Sequence, residues 1–135
     1  GDPYTVMLDC YEHGGQVWSV TGSGPQCLFD TARGAGVWVP DQCLREELDS
    51  IKTNEGIDMA RSKAVEFARQ ALGSYNAWLA GDCYGVAVDV FSIEGDCLKL
   101  IDESAVWGYV GREWAEESLS EEVRAVLGNA VLKAA

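Results

Sequence analysis

The stretch A-R-S-K-A-V-E-F-A-R-Q-A-L-G-S-Y-N-A-W-L-A-G-D-C-Y-G-V-A-V-D-V-F, from Ala60 to Phe91, changes its hydrophobic period partway along, and that change decides the fold class. Up to Leu79, the apolar residues Ala60, Ala64, Phe67, Ala68, Ala71, Leu72, Tyr75, Trp78 and Leu79 recur at helical spacing. Past Gly81-Asp82 the period falls to two. Tyr84, Val86, Val88 and Val90 then alternate with Cys83, Gly85, Ala87 and Asp89, as in a strand. A helix with so apolar a face needs a sheet or other helices to bury it, and the segment brings its own next strand.

Upstream, Tyr4 to Tyr11 is dense in β-formers, with Tyr4, Val6, Leu8 and Cys10 alternating against Thr5, Met7 and Asp9. Glu12-His13-Gly14-Gly15 reads as a turn and Gln16 to Thr21 as the returning strand of a hairpin. Gln26 to Asp30 is expected to be a third short strand. Residues 31 to 40, T-A-R-G-A-G-V-W-V-P, read as a glycine loop with Val37-Trp38-Val39 as a brief strand at most. Pro40-Asp41 opens a helix predicted to run to Ile51.

Downstream of Phe91, Glu94-Gly95-Asp96 predicts a turn and Cys97 to Ile101 a hairpin partner. Asp102-Glu103-Ser104 interrupts before a further strand over Ala105 to Val110. Two helices follow, Arg112 to Ser118 and Ser120 to Ala134, the second capped by Ser118 or Ser120. The order implies an α+β fold: one domain over residues 1–135, with a mostly antiparallel sheet of two hairpin units. One long central helix and the C-terminal helices pack on that sheet.

Ten Lys and Arg against 22 Asp and Glu leave a net charge of −12. Such a surface repels nucleic acid and anionic lipid and suits a basic partner. Residues 41 to 80 hold half of the bases, yet five bases there face seven acids, so no basic patch exists for a phosphate backbone. No apolar run reaches the ~18 residues of a membrane span. Five cysteines without a C-x-x-C pair, beside a single histidine, predict no metal site and no disulfide framework. A reducing, cytoplasmic compartment is expected.

No catalytic constellation stands out, and the expectation is a non-enzymatic protein without a cofactor. The one conceivable Cys–His dyad joins Cys10 to His13, three residues apart across a strand and its turn, with no third residue to orient it. Gly22-Ser23-Gly24 and Gly34-Ala35-Gly36 lack the spacing of a phosphate-binding loop and read as turns. The acids are more informative. From Asp102 to Glu122 the chain holds Asp102, Glu103, Glu113, Glu116, Glu117, Glu121 and Glu122 against Arg112 alone, a net of −6 in 21 residues. Glu113, Glu117 and Glu121 would form a row with ~6 Å of rise per step if one helix carried all three, a pitch near that of phosphates along a DNA strand. The competing explanation is that acids at two successive helix N-termini are stabilised by the helix dipole. Most tryptophans are expected in the core. Trp38, in its glycine-flanked segment, is the candidate interface anchor.

Three stretches carry a resemblance: Gln26 to Asp41 (Q-C-L-F-D-T-A-R-G-A-G-V-W-V-P-D), Tyr75 to Val88 (Y-N-A-W-L-A-G-D-C-Y-G-V-A-V) and Asp102 to Trp114 (D-E-S-A-V-W-G-Y-V-G-R-E-W). Together they resemble a group of small acidic proteins of phages and mobile elements. The resemblance implies accessory phage biology: inhibition of a host defence system, of the anti-restriction or anti-CRISPR kind, by binding a basic nucleic-acid-handling protein as a DNA mimic. The seven acids of residues 102–122 are the expected contact surface, in the host cytoplasm. The alternative is a structural accessory protein that self-associates through an apolar surface around Trp38.

Overall fold

Tyr4, Val6, Leu8 and Cys10 lie on one face of strand β1 (Val6–Glu12) and its approach, and all four are buried. The computed structural model describes residues 1–134, with side chains to residue 132. β1 pairs antiparallel with β2 (Gln16–Val20) on one side and β3 (Thr31–Trp38) on the other, in the order β2-β1-β3. Two helices follow, α1 (Gln42–Glu55) and α2 (Ile57–Leu79). Asp41 caps α1 by accepting a hydrogen bond from the Leu44 N–H at 2.9 Å, as its place after Pro40 led one to expect.

The buried line of α2 is Ala60, Ala64, Ala68 and Leu72, each one turn beyond the last. Three alanines in a row keep the helix surface low. Together with Tyr4, Val6, Leu8 and Leu48 they form the core, with Trp18, Val20, Trp38 and Phe67 packed at its margin. The next residue on the same line is Asn76, and it is polar for a reason. Its amide accepts from the Trp18 N–H at 2.8 Å and donates to the Trp18 carbonyl at 2.7 Å. Trp18 lies on the outer strand β2, so these groups point away from β1 and would otherwise stand open at the sheet edge. At the other end of the core, Tyr4 donates its hydroxyl to Asp49 of α1 at 2.6 Å, and Arg45 pairs with Asp2 at 2.5 Å. Those contacts tie the first residues down.

Three further elements complete the chain: β4 (Cys83–Glu94), β5 (Cys97–Val110) and α3 (Arg112–Ala134). β4 and β5 form one long antiparallel hairpin, and α3 packs against both. Mixed helix and strand with antiparallel sheets is the α+β class expected. The sequence reads as one domain over residues 1–135; the contacts gather in two compact units, Gly1–Ala80 and Gly81–Ala135.

Several local expectations change. Residues 31–38 are a full strand and not a loop, because the glycines serve the sheet. Residues 28–30 turn where a short strand was expected. The strands expected at 97–101 and 105–110 are one strand, with a register shift opposite Val90 and Phe91 absorbing the interruption. The two C-terminal helices are one uninterrupted helix, so Ser118 and Ser120 cap nothing.

Candidate functional site

Both glycine clusters of the first unit serve an anion, but one that the protein itself supplies. Asp9 lies on the β1 face opposite the core, flanked by Leu8 and Cys10, and is 1 % exposed. Its Oδ1 accepts from the Gly34 N–H at 2.9 Å and the Thr21 hydroxyl at 3.0 Å. Its Oδ2 accepts from the Gly22 N–H at 2.9 Å and the Gln26 amide at 3.2 Å. Hydrogen bonds from the Gly22 and Gly34 N–H groups, opposed by burial, hold the carboxyl at a pKa of about 2, against an ordinary 3.8. Gly34 takes a positive φ of 60° to present its N–H. The Gly22 and Gly34 clusters are therefore the cradle of a buried carboxylate that pins β3 and the turn after β2 onto β1.

The Cys10–His13 pair does not form. Cys10 belongs to the buried face of β1, and burial pushes its thiol pKa up. His13 instead lies 3.3 Å from Asp30 with its side chain largely exposed, and the Cys27 thiol reaches the same Asp30 oxygen at 3.6 Å. An aspartate placed between the cysteine and the histidine offers no route for the imidazole to take the thiol proton. No group of three or more metal-ligating side chains is found among the described residues.

The seven acids of residues 102–122 separate into five environments. Asp102 follows the register shift on β5, paired across from Val90. Glu122 is half-buried beneath the hairpin and meets the Ser104 hydroxyl. Glu116 pairs with Arg112 at 2.6 Å, one turn away on α3. Glu113, Glu117 and Glu121 are all exposed, and none has an ion-pair or hydrogen-bond partner among the described residues. Glu103 stands apart from these, facing Asp89 across the strand pair.

Because α3 is continuous, the condition on the row of Glu113, Glu117 and Glu121 is met: one helix carries all three at one-turn steps. The helix-start explanation weakens correspondingly. Only Glu113 lies in the first turn of α3, whereas Glu121 and Glu122 lie in its middle, beyond the reach of the N-terminal dipole.

Trp38 ends β3 half-buried against the core, at the rim of an apolar depression of about 320 Å³ that Leu8, Trp18, Leu72 and Tyr75 also line. The strongly exposed tryptophans are others: Trp78, Trp107 and Trp114, at 58, 79 and 55 %. Trp107 is expected in the core as a residue on the apolar face of its strand, but alternation along β5 places it on the face away from α3. No helix among the described residues is long and apolar enough to cross a membrane. No protein-family model, curated protein or solved structure matches the chain.

Proposed function

We propose that the protein is a non-catalytic binding protein that engages a basic protein through the outward face of α3. The observation that carries this reading is the uninterrupted run of that helix, which keeps Glu113, Glu117 and Glu121 exposed and unpaired in one row. Like charges one turn apart cost about 0.2–0.5 kcal/mol per pair, and neither a capping role nor an internal cation offsets that cost for Glu117 and Glu121. A surface of this sign attracts cationic partners and accelerates their encounter.

The resemblance to small acidic phage proteins adds the class of partner: a nucleic-acid-handling protein of a host defence system, occupied where its nucleic acid would bind. The row's ~6 Å steps along the helix suit the role of a stand-in for a phosphate backbone. The test is capture of basic nucleic-acid-binding proteins from a bacterial lysate at low and high salt. The native chain should retain such a protein at low salt and release it at high salt. Glu113→Gln, Glu117→Gln and Glu121→Gln combined should retain none while folding normally. Equal retention by that variant would refute the reading.

A further inference from the structure

Strand periodicity divides the β4–β5 hairpin into two faces. Val86, Val88 and Val90 point toward α3, together with Val106 and Ser104 across from them. Within the second unit, no element among the described residues packs on the opposite face. It presents Trp107 over Gly85, the small pair Ala87 and Ala105, then Asp89 opposite Glu103, and beyond them Phe91 with Leu100 and Ile93 with Leu98. Trp107 and Ile93 are each 79 % exposed and Leu98 69 %.

Two properties of this face do not belong to a finished surface. Exposed large apolar side chains flank a dip floored by two alanines. In that dip stand two carboxylates in direct cross-strand opposition, where their Cβ atoms are ~5 Å apart and like charges destabilise the sheet. Neither side chain meets a cation or a hydrogen-bond donor among the described residues.

We infer that this face is the docking surface for an extended protein segment that places an arginine between Asp89 and Glu103 and rests apolar side chains on Trp107 and Phe91. Charge complementarity selects this occupant. A guanidinium offers donors on two edges and can satisfy both carboxylates at once, which a lysine ammonium does with less geometric fit. A second copy of the chain fits poorly, since face-to-face packing would bring four carboxylates together without a counter-ion. The inference is independent of the α3 row, which lies on another surface of the same unit.

The experiment titrates the ¹⁵N-labelled full chain with short capped peptides of alternating valine and threonine, whose central residue is arginine, glutamine or glutamate. The arginine peptide should give saturable amide shifts along residues 83–94 and 97–110 and bind at least roughly tenfold more tightly than the glutamine peptide. Asp89→Asn with Glu103→Gln should erase that preference while raising Tm, because the repulsion disappears. The α3 variant Glu113→Gln/Glu117→Gln/Glu121→Gln should keep the preference. Equal affinity for the three peptides, a preference that survives Asp89→Asn/Glu103→Gln, shifts confined to α3, or shifts that depend on protein concentration alone would each overturn the inference. The last would identify a second copy as the occupant.

Discussion

The side-chain amide of Asn76 on α2 forms a closed pair of hydrogen bonds with the backbone of Trp18 on β2, as a neighbouring strand would. One side chain thus fixes the helix to the sheet and covers part of an open strand edge. Asn76→Ala should cost about 1–3 kcal/mol, because both Trp18 groups lose their partner in a part-buried position. Urea unfolding followed through far-UV circular dichroism would check it. Asn76→Asp should also be costly, since a carboxylate cannot donate to the Trp18 carbonyl.

Asp9 predicts a pH dependence. Its folded pKa of about 2 lies below the ordinary 3.8, so its contribution is complete above the unfolded value and is lost as pH falls through the folded one. Stability should therefore decline between roughly pH 4 and pH 2, and Asp9→Asn should remove this component of the slope. At neutral pH that variant should be less stable, because an amide N–H₂ would face donors from Gly22, Gly34, Thr21 or Gln26. Denaturation midpoints of the two proteins across the acid range should converge as pH drops.

Leu48 is fully buried between α1 and the rest of the core. Leu48→Ala should cost about 2–5 kcal/mol. The alanine line of α2 predicts the opposite kind of failure. Ala64 is 1 % exposed, and Ala64→Leu should lose about 1–3 kcal/mol by forcing helix and sheet apart. Thermal melts of both variants give the comparison.

Trp107 covers the Gly85 backbone so closely that a Cβ at position 85 would overlap its ring. Gly85→Ala should displace the indole, move its N–H resonance, and cost up to about 1 kcal/mol of cross-strand contact. An unmoved resonance would show that the ring has another place to rest.

Helix and strand periods carried most of the architecture. The alternation of Tyr4 to Cys10 and the spacing of Ala60 to Leu72 recur unchanged in the core. What failed was the reading of polar and glycine residues, whose partners lie far along the chain. Gly34 and Gly36 look like loop residues, but the first serves Asp9 and the second leaves room for the ring of Trp18. Asp9, alone among apolar neighbours, was the visible sign of a buried anion, yet its four donors are scattered between residues 21 and 34. The seven acids downstream formed one cluster in sequence. Strand alternation and one continuous helix sort them onto different faces, and only the helix continuity was beyond reach, since Ser118 and Ser120 imitate a cap.

The core of eight buried residues lies wholly within the first unit. In the second, the buried apolar side chains among the described residues are Val86, Ala115, Val126 and Ala130, small or β-branched groups beneath a two-stranded sheet. Little apolar surface holds that hairpin and helix together, so opening fluctuations should be cheaper there. Amide protons of β4, β5 and α3 should exchange with deuterium well before those of β1 and α2. The unit that carries more of the exposed large apolar side chains among the described residues is then also the one that reshapes most readily around whatever covers them.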